Sequence, residues 1–181
     1  MPTSDPHQIP VVLAELVRLD PVSVVDLGAG YGKYGPLIRE YVDDWGPFGT
    51  ELTAVEGHLP YARRAHLNYD AYDTVYHGTI EGWVEQQEKL KTQPYDVGLL
   101  VDVLEHWDKS EGAAILNRLC SVCRRMVVAT PREPAEQDAP YGNPLDTHRA
   151  QWREQDFAQF DVERRLACDD QLVLTLRGWM T

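Results

Sequence analysis

Asp26 lies near the end of an apolar run, Val22-Ser-Val-Val-Asp-Leu27, and glycines follow at 28, 30 and 32. Glycine has no Cβ, so a chain can turn sharply out of a strand there and bring backbone N–H groups against a ligand. Such a loop suits a nucleotide cofactor. A dinucleotide fingerprint, Gly-x-Gly-x-x-Gly, needs its third glycine where Lys33 stands, whereas this chain has it one residue early, at Gly32. Glu56 follows 26 residues after Gly30, at the end of the next strand-like run. Its two carboxylate oxygens suit paired hydroxyl donors. Two further groups carry acid-base chemistry. Asp102-Val-Leu-Glu-His-Trp107 places His106 where an imidazole, with a reference pKa of about 6.5, can take a proton at neutral pH. The competing reading for His106 is a helix-start histidine bonded to nearby carbonyls. Asn143-Pro-Leu-Asp-Thr-His-Arg-Ala-Gln-Trp152 brings His148 and Arg149 next to a proline-rich stretch. These two can swing over a site and orient an anionic or hydroxylated substrate, or can join Asp146 in a polar network that pins the segment.

The elements that must position these residues alternate along the chain. Apolar residues at 9, 12, 13, 16 and 19 predict a lead-in helix over 7–20, closed by Asp20 and Pro21. Strands are expected at 22–27, 51–56, 74–77, 95–102 and 125–130. Helices are expected at 33–42, which should end before Gly46 and Pro47, and at 60–68, 80–91 and 109–121. This order predicts a Rossmann-like, doubly wound α/β sheet, whose ligands sit at the carboxyl ends of the strands. Residues 131–150 contain four prolines and no periodic pattern, and are read as an active-site lid. A short helix over 152–160 and two strands, 161–168 and 171–177 around Asp169-Asp170, add an antiparallel hairpin. The expectation is seven strands, mostly parallel, in one domain spanning 1–181.

A length of 181 residues with 43% hydrophobic content fits one core. A net charge of −12 argues against a surface built to neutralise nucleic-acid phosphates. No apolar run reaches bilayer length, and the start, Met-Pro-Thr-Ser-Asp-Pro-His, has neither a basic nor an apolar leader segment, so a cytoplasmic protein without a membrane partner is expected. Cys120 and Cys123 form a Cys-x-x-Cys with no second pair and no nearby histidine, which favours buried structural thiols.

The strand-Asp-x-Gly-x-Gly-x-Gly form resembles the first motif of class I S-adenosylmethionine (SAM) dependent methyltransferases, and the terminal hairpin extends the resemblance over nearly the whole chain. Tyr31-Gly-Lys-Tyr-Gly35, with Asn143 through Trp152, is similar to a bacterial uncharacterised subgroup that has Asn-x-x-Glu-x-His-Arg-Ser-x-Trp; Asp146 and Ala150 replace the Glu and Ser. The resemblance implies SAM as cofactor. It places Asp26, Gly28, Ala29, Gly30, Tyr31, Gly32, Glu56, Gly57, Thr79, Ile80, Asp102 and Val103 around that cofactor. Glu56 would take the ribose hydroxyls. Thr79, standing where the family commonly has Asp, would contact the adenine more weakly. Catalysis would fall to His106, His148, Asp102 and Arg149, acting on an O or N atom of a small-molecule acceptor. An alternative uses Asp102, Glu105, His106 and His148 as a divalent-metal set, like that of the small-RNA 3′-terminal 2′-O-methyltransferases. A further alternative is a non-catalytic SAM-binding or partner subunit. A homodimer stays open.

Overall fold

The computed structural model describes residues 5–43, 49–64 and 70–179. Strands β1 (Ser23–Leu27), β2 (Glu51–Glu56), β3 (Thr74–His77), β4 (Tyr95–Val101), β5 (Cys123–Pro131), β6 (Asp161–Leu166) and β7 (Gln171–Arg177) form one sheet. Its order is β3-β2-β1-β4-β5-β7-β6. The first five strands are parallel, and β7 runs antiparallel to both β5 and β6. The expected Rossmann-like sheet with a C-terminal antiparallel hairpin is therefore present. Its crevice lies where β1 sits between β2 and β4, because the strand order reverses there.

Residue alternation explains why both faces are covered. Val25, Leu27 and Leu100 point into one apolar layer with Trp83, Leu116 and Phe157, while Val24, Leu99 and Val101 point into the other with Val12, Leu16 and Ile38. The second layer is built by α1 (Gln8–Leu19) and α2 (Tyr34–Tyr41), and the first by α4 (Ile80–Leu90) and α5 (Lys109–Val122). α3 (Leu59–Arg64) follows β2. Asp20 closes α1 in the left-handed region, φ 47°, with its N–H on Leu16 O at 3.0 Å. Thr79 caps α4 by accepting from the Gly82 N–H at 3.2 Å. No helix among the described residues is long and apolar enough to cross a membrane.

Among the described residues, three elements differ from expectation by more than one residue. Instead of a helix over 152–160 there is one 3₁₀ turn, Glu154–Phe157. Trp152, Phe157 and Phe160 are all buried, a spacing of five and three that no helix face provides, and Arg153 is extended with its N–H on Asp156 Oδ2. β5 begins at Cys123, directly after α5, and β6 ends at Leu166. Both Cys120 and Cys123 are buried free thiols, and burial pushes Cys120 up to about 12. α2 ends at Tyr41, one residue before the expected Val42, and the expected end of the helix after β2, at Asn68, lies outside the described residues.

Candidate active site

The carboxyl ends of β1, β2, β3 and β4 open into a cavity of about 650 Å³. Gly28, Gly30 and Gly32 have φ values of 75°, 57° and 71°, a region that side chains disfavour. At Gly28 a Cβ would also lie 2.6 Å from Val103 Cγ2, so the loop passes directly over the residue that follows β4. Four N–H groups of the loop turn inward rather than toward a ligand. Gly28 and Ala29 donate to Val55 O, Gly30 donates to Glu56 Oε2 at 2.8 Å, and Gly32 donates to Ala29 O. The loop thereby shapes the cavity and orders the Glu56 carboxylate. Gly32 stands outside the cavity lining, whereas Asp26, Gly28, Ala29, Gly30 and Tyr31 belong to it.

Glu56 is buried at the end of β2, and its two oxygens accept from Gly30 N and from His58 N at 2.8 and 2.5 Å. Burial raises its pKa to about 7 against those two hydrogen bonds. Asp26 is raised to about 6, again by burial, with the Tyr72 hydrogen bond and the Lys33 charge pulling the other way. The Tyr72 hydroxyl also accepts from Gly35 N at 2.9 Å. A Cβ on Gly35 would lie 2.4 Å from Tyr72 Cε2, which gives the second half of the Tyr31-Gly-Lys-Tyr-Gly35 motif a packing cause. Gly57, Thr79 and Ile80 continue the wall beyond β2 and β3. One Thr79 lone pair serves the α4 cap, which leaves the hydroxyl hydrogen and a second lone pair for other partners.

At the end of β4, Asp102 is held in the left-handed region, φ 54°, with its N–H on Ala129 O and its Oδ2 accepting from Gln8 Nε2 at 2.5 Å. Val103, Glu105 and His106 follow it into the cavity wall. Glu105 is buried and raised to about 8, chiefly by burial and next by the Asp102 charge; Thr130 Oγ1 donates to its Oε2 at 3.0 Å. Both ring nitrogens of His106 face backbone carbonyls, Asp102 O at 3.1 Å and Thr147 O at 3.3 Å. Burial, more than anything else around it, lowers the His106 pKa. The His106 and His148 rings stack with centroids 5.2 Å apart. His148 Nδ1 lies 2.6 Å from Ala135 O, and since a carbonyl only accepts, Nδ1 carries the hydrogen. That leaves Nε2 as the lone-pair nitrogen, 3.3 Å from Gln137 Nε2.

Residues 131–150 pack over the β2 side. Tyr61 donates to Asp146 Oδ2 at 2.7 Å, Leu145 lies where a Gly57 Cβ would be, and the buried Asn143 accepts from Leu145 N. The backbone N–H groups of Arg149 and Ala150 both donate to Glu105 O, which ties the segment to the turn after β4. Arg149 itself is exposed at the cavity edge, with no ion pair among the described residues. His148, Arg149 and Asp102 thus meet around one cavity, as their spacing alone could not reveal. Of the four residues proposed as metal ligands, Glu105, His106 and His148 bring donor atoms within 4.8 Å of one another, and Asp102 is not among them. Gln8, Tyr61 and Tyr72 escaped the sequence reading. Gln8 carried a signal nonetheless, since it shares the 8, 12, 16 stripe with the buried Val12 and Leu16.

No protein-family model matches the chain, and no curated protein matches it. Solved structures do. The N-terminal domain of EvdMO1, crystallised with S-adenosylhomocysteine (SAH) and D-fucose, is 15% identical with a TM-score of 0.64, covering 97% of this chain and 85% of that one. Magnesium protoporphyrin IX methyltransferase (ChlM) from Synechocystis PCC 6803 with bound SAH is 18% identical with a TM-score of 0.66, covering 96% and 84%. An O-methyltransferase family protein from Burkholderia thailandensis is 14% identical with a TM-score of 0.66, covering 94% and 56%. The chain has the Rossmann-like α/β fold of these structures.

Proposed function

We propose that this chain is a SAM-dependent methyltransferase acting on an O or N atom of a small molecule. One observation carries the reading: a single cavity, within the about 300–1,000 Å³ usual for small-molecule sites, joins the glycine loop, the Glu56 carboxylate, Thr79-Ile80 and Asp102 at the switch in strand order. The neighbours crystallised with SAH support the cofactor. In this reading Glu56 holds the ribose hydroxyls, Thr79 and Ile80 flank the adenine, and Asp26, Asp102 and Val103 border the methionine end. SAM supplies an activated methyl on a cationic sulfur, so the protein's work is to align the acceptor, exclude water and take the acceptor's proton. Segment 131–150 serves as the lid. The base is His148 through Nε2, whose lone pair is freed when the Gln137 amide moves away, whereas both His106 nitrogens face backbone carbonyls. Arg149, with no ion pair among the described residues, orients the acceptor. Calorimetry with SAH, followed by SAH release over a panel of amines, phenols, sugars and acids, tests the proposal. Absence of SAH binding would leave a structural partner subunit, and binding without turnover across the panel would leave a regulatory one.

A second reading has its own observation, the convergence of Glu105, His106 and His148. The nitrogen and oxygen donors suit a borderline divalent ion, which would ionise Glu105 and replace a carbonyl contact of His106. Turnover that survives exhaustive chelation excludes it.

A further inference from the structure

Gln171, at the start of β7, is 6% exposed and lines the cavity, yet its side-chain amide makes no hydrogen bond among the described residues. Its buried Oε1 is left without a donor. The other two amides of the lining are engaged: Gln137 Nε2 donates to Asp146 O, and Asn143 Oδ1 accepts from Leu145 N. Gln171 is also firmly placed, because it pairs with Pro131 across the β5–β7 ladder and Arg132 N donates to Asp170 O one residue before it. The sheet order puts β7 two strands beyond β4, about 10 Å at the usual strand spacing, on the side away from Glu56. The residues assigned to the cofactor follow β1 to β4, so Gln171 belongs to the other part of the cavity. His148 borders that part. Thr130, next to Pro131, donates to Glu105 Oε2, and Glu105 O accepts from the N–H of Arg149, the residue after His148.

A buried amide with neither half paired is unfavourable in the ligand-free fold and is tolerated where a ligand supplies the partners. Its halves make different demands, an acceptor for the N–H groups and a donor for the oxygen. A carboxylate or phosphate brings acceptors only, and would meet the charge of Asp5, which lines the cavity and acts on Cys168 in the hairpin turn. An ammonium brings donors only. A neutral group with a donor beside an acceptor satisfies both halves, as a vicinal diol or the N–H and C=O edge of a lactam does. The broad terminal torsion of glutamine lets the amide turn to meet it. We propose that Gln171 anchors the methyl-accepting substrate by binding such a neutral donor–acceptor pair, holding the substrate between the start of β7 and His148. The proposal rests on the reading of this cavity as a SAM site.

Gln171→Met and Gln171→Leu remove the amide at similar volume and test it in the full chain. SAH binding, measured by calorimetry, reports the cofactor site. cis-Cyclohexane-1,2-diol and valerolactam are the probes, compared by thermal shift on the SAH complex with their O- and N-methylated forms, which lack the donor, and with cyclohexanecarboxylate and cyclohexylammonium. One of the two probes should stabilise the wild type, its methylated form should bind at least about tenfold more weakly, and both variants should lose the response while holding SAH within about twofold of wild type. A response to the diol assigns a hydroxylated substrate, and a response to the lactam assigns an amide-edged one. The subsite is overturned if neither probe stabilises the wild type, if the carboxylate or the ammonium does so as strongly, or if the response survives in the variants. Variants folded by circular dichroism that weaken SAH as much as the probe put Gln171 against the cofactor and overturn it too. Should neither variant fold, the wild-type pattern of probes decides. A wild-type chain that does not bind SAH overturns the SAM reading instead, and the same comparison on the ligand-free chain then decides the subsite alone.

Discussion

Glu56 has two tasks that a sequence shows as one. Its carboxylate already orders the glycine loop through Gly30 N and the following turn through His58 N, so it is in place before a ribose arrives. Because burial raises it to about 7, only the ionised fraction is a full acceptor for two hydroxyls, and SAH affinity should fall about tenfold per unit as pH drops below 7. Calorimetry from pH 5.5 to 8.5 reads this, and a flat profile would remove Glu56 from the ribose. Glu56→Ala should weaken SAH about 100-fold or more, as expected from losing two charge-assisted hydrogen bonds. The histidines divide differently. His148 has a defined lone pair at Nε2, whereas both nitrogens of His106 face carbonyls. His148→Ala should therefore lower turnover about 10²-fold or more with SAH affinity unchanged, and His106→Ala should act mainly through stability. Equal losses of turnover in the two variants would contradict that division.

At the scale of elements, segment 131–150 behaves as a docked rim. It is held to α3 by Tyr61 on Asp146, to β2 by Leu145 over Gly57, and to the turn after β4 by Glu105 O. Ala139 and Tyr141 adopt positive φ, 35° and 55°, a conformation that costs a non-glycine residue on the order of 1–3 kcal/mol and persists only when surrounding contacts hold it. Tyr61→Phe removes one such contact. It should cost about 1 kcal/mol and speed hydrogen exchange over 137–148, with SAH slowing it again; exchange unchanged by the substitution would show that Leu145 and Glu105 suffice. The strands, the glycine loop and the hairpin were legible in the sequence because their cues are local: β-branched runs, turn residues and a period of two. The short helix expected over 152–160 was not, because three aromatic anchors from a stretch without helical period decide that path. Gln8 lies 94 residues from Asp102 and Tyr61 lies 85 from Asp146, so no pattern within a window could join them.

For the molecule as a whole, the buried carboxyls set the direction of the pH dependence. Asp26, Glu56 and Glu105 are raised to about 6, 7 and 8, so the folded chain keeps protons that the unfolded chain, with ordinary carboxyl values near 4, has already released. Wherever the folded state binds more protons, stability falls as pH rises, and here that window runs from about 4.5 to 8. Glu15, Asp43 and Asp73 act in the opposite sense, since their hydrogen bonds and ion pairs with Arg18, Arg39 and their neighbours, set against burial, hold them below the usual carboxylate range. Their stabilisation is present above the ordinary value and is lost in acid. The ligand-free protein should accordingly be most heat-resistant near pH 5, with Tm declining toward pH 8 and levelling above it. A net charge of −12 pushes the same way through self-repulsion, so Glu105→Gln separates the two causes. An amide of the same shape can still accept from Thr130 without an ionisation to oppose, so the decline should become shallower throughout pH 5 to 8 in this variant, most clearly between 7 and 8 where Glu105 alone keeps a buried proton, while Asp26 and Glu56 retain part of it below pH 7. If the two Tm profiles run parallel from pH 5 to 9, Glu105 carries no buried proton, and the decline is left to Asp26, Glu56 and surface charge.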